Sequence, residues 1–248
     1  MSEPPAEHAN SLPLDGFEVM ETAPAVPGWK RLMDVLILIG LAPLWIPLGC
    51  LISVALLSVN GRPLFFRQVR VGRGGREFAL YKFRRMTANA DPTVYQEHIA
   101  QLIRSDTPMT KLDHMGDARL VRFGRFMRAS GLDELPQIWN VIKGDMSLVG
   151  PRPSTRAECA FYSRYERGRL RALPGITGWW QVNGKNETTF QRMIELDNAY
   201  CDRLTWSRDL SILWRTSGVI GKQLADWLKR RGAAQEKIQS DRVESPND

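Results

Sequence analysis

The sequence predicts an α+β chain, mainly helical. A re-entrant membrane helix hairpin carries a cytosolic helical domain with a small β-hairpin and interfacial helices. Three observations lead there. An uncharged run of 25 residues, Val35 to Val59, contains Pro43 and Pro47. Two short alternating segments, "PLFFRQVRVG" and "EFALYKF", flank the glycine-rich turn "GRGG". Further on, apolar residues recur at helical spacing while charges keep to other faces.

The chain of 248 residues allows one sizeable domain or two small ones. Its formal charge of +7 is unevenly spread. Residues 1–28 hold five acids (Glu3, Glu7, Asp15, Glu18, Glu21), no Lys or Arg, and Pro4, Pro5, Pro13, Pro24 and Pro27. That composition predicts a disordered acidic tail, and its acidic start is unlike a signal peptide. The remainder carries 34 bases against 22 acids. Such a body favours an anionic partner: nucleic acid, a phosphate-rich substrate or a lipid surface. Cys50, Cys159 and Cys201 are scattered and odd in number, which fits a reducing compartment. Three histidines (His8, His98, His114) leave little for zinc or for histidine acid–base chemistry.

Residues 29–60 form the predicted re-entrant membrane helix. The uncharged run exceeds the roughly 20 residues that cross a bilayer. Pro43 and Pro47 near its middle each remove a backbone hydrogen bond and break or bend a helix. Both flanks are basic: Lys30 and Arg31 before, Arg62, Arg67, Arg70 and Arg73 after. Basic flanks stay cytoplasmic, so a helix that breaks at the prolines and returns satisfies both, whereas a single span strands one outside. A full span and a buried core helix are the competing readings. Lys30 and Arg31 are expected to anchor the segment by meeting lipid headgroups.

Residues 61–230 form the predicted cytosolic domain. The hairpin lies at 62–83. Its glycines, Gly72, Gly74 and Gly75, fit turn chemistry better than a phosphate cradle, because no Lys-Ser/Thr ending follows them. A helix is expected from about Ala118 to Ala129, with Arg119, Arg122, Arg125 and Arg128 in a stripe that reads as a solvated face or as the edge of a site. The stretch around Trp214 and Trp227, rich in Arg and Lys, suits an interfacial helix and equally a core helix. Residues 231–248 read as a polar tail.

Asp133 and Glu134 are adjacent in "SGLDELPQIWNVIKGD". Local pattern predicts Asp133 as the N-cap of a helix with Pro136 in its first turn and Leu135, Ile138, Trp139 and Ile142 as its apolar period. A chemical reading stands beside that one. Neighbouring anions repel, so positive charge belongs near them. Arg128 is one source and a divalent cation another, since carboxylates hold Mg²⁺, which also binds phosphate oxygens. A carboxylate, a metal and an arginine cluster are the parts phosphoryl transfer uses, and a carboxylate can itself be the nucleophile. Gly150, Pro151, Arg152 and Pro153 predict a stiff turn, with Arg152 facing solvent or aimed at a phosphate. The residues alone leave both pairs of readings open.

A series of stretches in order, "KRLMDVLILI", "LYKFRRM", "FGRFMRASGLDELPQIWNVIKGDMSLVGPRP" and "LPGITGWWQVNGK", resembles the bacterial monotopic phosphoglycosyl transferases, initiating sugar-phosphate transferases of the undecaprenyl-phosphate hexose-1-phosphate type. The resemblance covers roughly Lys30 to Leu228. It implies transfer of a sugar 1-phosphate from a UDP-sugar to polyprenol phosphate, with release of UMP, as the first membrane step of exopolysaccharide, capsule or O-antigen synthesis. It implies Asp133 as nucleophile, Glu134 with Asp133 as Mg²⁺ ligands, and Lys82, Arg128, Arg152 and Lys185 as phosphate-binding residues. It also implies a monotopic protein on the cytosolic face of the inner membrane, in contact with anionic lipids. Two departures stand out. Ala42 precedes Pro43 where the family often has Ser, losing a hydroxyl that could satisfy a freed carbonyl. Lys185 stands where the family usually has Arg, which loses a bidentate fork. Larger members carry further transmembrane helices upstream, which this sequence is expected to lack.

Two other functions are open to test. A non-catalytic membrane-bound scaffold would use the same hairpin and basic face. A nucleic-acid partner is not expected, since the long uncharged segment argues against it and no recognition motif is visible.

Overall fold

The computed structural model describes residues 23–84, 101, 103, 105, 107–108, 124–184 and 187–244, without the side chains of 125, 128 and 230–244. The expected acidic tail up to 22 and the first half of the expected 118–129 helix therefore lie outside the described residues.

The apolar segment folds as two helices, α1 (Gly28–Gly40) and α2 (Ala42–Asn60). The break falls at Leu41 (φ −93°, ψ 0°), just ahead of the prolines. Pro43 sits in the first turn of α2, where an amide hydrogen has no partner to lose. Pro47 lies inside α2, which continues through it. The break thus lies two residues before Pro43, and Pro47 does not make one.

Strands β1 (Phe65–Val71) and β2 (Glu77–Phe83) pair antiparallel, from Phe65 opposite Phe83 to Val71 opposite Glu77. The turn between them uses Gly74 at φ 68°. After α3 (Gly124–Ser130), a 3-10 turn at Leu132–Glu134 leads to α4 (Gln137–Lys143). Then come β3 (Ser147–Val149), α5 (Arg156–Ala160), a 3-10 segment (Glu166–Arg171), β4 (Gly175–Thr177), α6 (Trp179–Val182), α7 (Phe190–Asp202) and α8 (Trp206–Glu244). β3 and β4 pair in parallel, a contact the sequence reading missed. No break separates a tail at 231, since α8 runs unbroken for 39 residues.

The main core joins Leu38 of α1, Leu80 of β2, Ile138 and Val141 of α4, Leu148 and Val149 of β3, Tyr200 of α7 and Ile212 of α8. A second cluster under α7 holds Val71, Tyr162, Trp180, Phe190 and Met193. A third holds Leu56, Phe83 and Met127. α2 meets the body along one face. Trp45 packs on the main core, Ile52 and Leu56 on the third cluster, and Gly49 faces Leu135. That spacing is one stripe of a 3.6-residue helix. Leu44, Leu51 and Val54 on the other faces are exposed. α8 divides similarly: Asp209 and Ile212 are buried while Trp206, Leu210 and Trp214 form an exposed row at helical spacing. Exposed aromatic residues and buried core residues thus fall on different faces of one helix.

Candidate active site

Gly131, at φ 72°, turns the chain out of α3 in a conformation that glycine adopts without a Cβ penalty. Leu132–Glu134 then close one 3-10 turn, with the Glu134 amide donating to Gly131 O (3.1 Å) and the Leu135 amide to Leu132 O (3.3 Å). Asp133 is only 4% exposed. It is not the N-cap of α4: that position is Pro136, with no side-chain cap. Leu135 (φ −53°, ψ −38°) is already helical, so the chain runs from the 3-10 turn into Pro136 and α4 without an extended residue at which Asp133 could cap. Asp133 is therefore buried within the turn and not at the N-cap position.

Glu134 faces β2. Lys82 Nζ lies 2.8 Å from its Oε1, and both side chains are partly exposed. Asn140, fully buried in α4, fixes that geometry. Its amide nitrogen donates to Ala79 O (2.6 Å) and its oxygen accepts from the Tyr81 amide (3.2 Å). One side chain thus ties the strand bearing Lys82 to the helix that follows the acid pair. Leu135, the next residue after Glu134, packs toward α2, where a Cβ built on Gly49 would lie 3.4 Å from its Cδ2. The acids sit where an apolar helix, the strand bearing Lys82 and a short turn converge.

The donors suit Mg²⁺ in kind: two neighbouring carboxylates are hard oxygen ligands, and one of them reaches solvent. Among the described residues no group of three or more His, Cys, Asp or Glu could hold a metal. A Mg²⁺ ion at Asp133 and Glu134 would therefore draw its remaining ligands from water and substrate phosphate, the usual pattern for that ion.

Arg152 lies on the predicted stiff turn and is paired with Glu158 at 2.9 Å. Burial alone would raise Glu158, but the charges of Arg152 and Arg70 and a hydrogen bond from the Thr155 amide outweigh it and hold the carboxyl at about 2. The side chain of Arg128 and all of Lys185 lie outside the described residues. The structure brings Lys82 to Glu134 and places Arg152 in a network of its own. A surface hollow of about 470 Å³ between Glu166–Arg171 and α7 contains none of the predicted site residues.

The membrane-anchor reading of Lys30 needs correction. Lys30 is 1% exposed and its ammonium donates to Val149 O (2.8 Å), Tyr200 Oη (2.9 Å) and Asp209 Oδ2 (2.6 Å). Arg31 donates to the carbonyls of Val141 and Ile142 at the end of α4, where a cation also meets the negative end of the helix dipole. Lys30 turns toward the body because buried acceptors there bind it in place of lipid phosphates, while Arg31 is held at the half-exposed end of α4. Asn140, Arg70, Glu158, Arg169 and Asp197 went unread as site-supporting residues. Arg67 and Arg70 are an odd number apart on β1 and so face opposite sides, a period-2 signal that could have marked Arg70 as inward.

The family model described as bacterial sugar transferase matches residues 26–223. The UDP-galactose-lipid carrier transferase of Erwinia amylovora is 35% identical over 210 residues, 82% of this chain and 41% of the relative. The UDP-glucose:undecaprenyl-phosphate glucose-1-phosphate transferase of Xanthomonas campestris pv. campestris is 40% identical, over 79% of this chain and 40% of the relative. The exopolysaccharide production protein ExoY of Sinorhizobium fredii is 33% identical, over 75% of this chain and 83% of the relative. The chain thus spans about two fifths of the Erwinia and Xanthomonas proteins and most of ExoY.

Proposed function

The chain belongs to the bacterial sugar transferase family, and from that premise we propose that it transfers a sugar 1-phosphate from a UDP-sugar to polyprenol (undecaprenyl) phosphate, releasing UMP. The names of the Erwinia and Xanthomonas relatives support the donor and acceptor classes. The observation that carries the reading is the buried carboxylate of Asp133, next to Glu134 and its Lys82 partner, on a turn that touches an exposed apolar helix.

Asp133 attacks the phosphorus nearer the sugar. An O–P bond forms, the bond to the UMP oxygen breaks, and a phosphosugar is left on the aspartyl carboxylate. An oxygen of polyprenol phosphate then attacks the same phosphorus and returns Asp133 as a free carboxylate. Both encounters bring anions together. Lys82 lowers that repulsion from the β2 side, and Arg128, Arg152 and Lys185 hold phosphate oxygens. Mg²⁺ held by Asp133 and Glu134 would supply charge neutralisation on the transferring group. Burial strips water from the Asp133 carboxylate, which keeps hydrolysis of the acyl phosphate from competing with transfer.

The α1–α2 segment is a re-entrant hairpin in one leaflet of the inner membrane, with the body on the cytosolic face against anionic lipid. Two packing contacts support this: Leu38 of α1 and Leu56 near the end of α2 both bury against the same body. A chain that crossed the bilayer once would separate them. Cysteine labelling from the periplasmic side should reach neither position 29 nor position 62. Labelling of one position alone would show a full span.

The reaction is tested by UMP release from a panel of UDP-sugars with polyprenol phosphate and Mg²⁺. Intact-mass spectrometry without acceptor should show a sugar-phosphate adduct, absent in Asp133→Asn. Normal transfer by that variant would exclude the covalent route. No transfer with any donor, alongside intact membrane binding, would favour a non-catalytic scaffold.

A further inference from the structure

The turn 150–154 is held unusually tightly, and by parts of the chain far from it in sequence. Pro151 and Pro153 offer no amide hydrogen, so the turn is fixed largely through its carbonyls. Four in succession are taken. Pro151 O accepts from the Gly175 amide (2.9 Å), Arg152 O from Arg169 Nη2 (3.0 Å), Pro153 O from Arg70 Nη1 (3.2 Å) and Ser154 O from the Val71 amide (2.9 Å). The backbone is pressed against β4, so that a Cβ at Gly150 would lie 2.1 Å from Leu173 O.

Two of these four donors are guanidinium groups with their side chains turned inward. Arg169 is 1% exposed. Its planar fork reaches three acceptors: Arg152 O, Asp197 Oδ2 at 2.6 Å and Tyr162 Oη at 2.9 Å. Tyr162 Oη in turn lies 2.9 Å from Ser154 Oγ. The fork therefore grips the turn on both sides of Pro153, while Asp197 of α7 pins the fork. Arg152's own side chain is steadied by Glu158, which is locked by the capping box that starts α5, and a quarter of that side chain stays exposed. This is a great deal of fixed charge to hold one loop, and its effect is to set where a single partly exposed arginine points.

We propose that Arg169 is a positioning residue for phosphate capture, acting through the main chain of Arg152. The proposal rests on the reading that Arg152 binds a phosphate of the UDP-sugar donor. Arg169 touches no substrate. It presets the turn, so that Arg152 meets the phosphate without first ordering a loop. Arg70 clamps the next carbonyl in the same manner from β1.

The test is a double-mutant cycle on the full chain in detergent: wild type, Arg152→Ala, Arg169→Lys and the double variant, with UMP release measured over a range of UDP-sugar. Lysine keeps the charge beside Asp197 but has no fork to span three acceptors. Arg169→Lys should raise the donor KM about tenfold with kcat little changed, the signature of lost ground-state binding. In the Arg152→Ala background it should add nothing further. The same tenfold loss in that background would overturn the proposal, because Arg169 would then act elsewhere. A normal KM for Arg152→Ala would instead remove the phosphate-binding reading, and the proposal with it. If Arg169→Lys does not fold, Tyr162→Phe replaces it in the cycle. That variant removes one hydroxyl from the clamp and should show a smaller KM rise that also vanishes without Arg152. A full KM rise without Arg152 would again overturn the proposal.

Discussion

The Lys30 ammonium lies 2.6 Å from Asp209 Oδ2, with both side chains buried and the two residues 179 positions apart in the chain. The pair joins the first turn of α1 to the first turn of α8, and Tyr200 Oη bonds both partners. An ion pair this deep contributes through completeness: each charge is tolerable only while the other is present.

Lys30→Met should therefore destabilise the protein by about 3–5 kcal/mol, because Asp209 is left as an uncompensated buried charge. Denaturant unfolding in detergent measures this. Binding to anionic vesicles by the folded fraction should change little, since the ammonium does not face lipid. A stable Lys30→Met protein that leaves the vesicles would restore the headgroup reading.

Lys82 and Glu134 make the opposite case. Their 2.8 Å pair is partly open to water, so solvent screens it. Lys82→Met should cost at most about 1 kcal/mol of stability, yet transfer should fall by about a hundredfold or more, because a charge aimed at the reacting phosphates is gone. Comparing the unfolding midpoint with the rate of UMP release separates the two effects. Loss of stability in proportion to activity would make Lys82 a structural residue.

Asn140 explains how Lys82 is held there. Asn140→Ala leaves the Ala79 carbonyl and the Tyr81 amide without their partner and should cost about 2–3 kcal/mol. Transfer should fall more than binding of the donor does, since the strand and the acid pair lose their register. Equal losses in KM and kcat for Asn140→Ala and Lys82→Met would be evidence against separate roles.

Local features were legible in the sequence because their causes are local. Alternation and a glycine turn are enough to specify β1 and β2, and adjacent acids are visible as such. Three-residue strands like β3 and β4 carry too little period to be seen, and their pairing depends on glycines letting two backbones close in. Lys30 and Arg31 looked like any basic flank. Their inward direction depends on Asp209 and on the end of α4, which only the folded chain brings near. Asp133 looked like a cap because Pro136 follows it, but the left-handed Gly131 spends those residues on a tight turn.

Stability should depend on pH through Glu158. Its carboxyl is held at about 2 in the folded protein against an ordinary value of 4.5. The favourable contribution is fully present above about 4.5 and is lost as pH falls from there toward about 2. Over that window it amounts to about 3 kcal/mol. Glu158→Gln should lower stability at neutral pH and flatten the fall between pH 4.5 and 2 relative to wild type. Parallel curves for the two proteins would remove Glu158 as the source.

Gly49 lets α2 approach the turn that carries the acids. A Cβ there would meet Leu135 at 3.4 Å, an ordinary contact, so Gly49→Ala should be accepted with activity within about threefold of wild type. Gly49→Leu adds a bulk that Leu135 must yield to, and Leu135 directly follows Glu134. Overpacking of that kind costs about 1–3 kcal/mol. The displacement should appear first in transfer, because Asp133 and Glu134 shift with their neighbour, and a misplacement of about 1 Å costs up to about a hundredfold in rate. Membrane association should be unchanged, since the exposed faces of α2 are untouched. Measuring UMP release and vesicle binding on the same preparations separates the roles. If Gly49→Leu transfers at the normal rate, the helix is an anchor alone and takes no part in holding the acid pair.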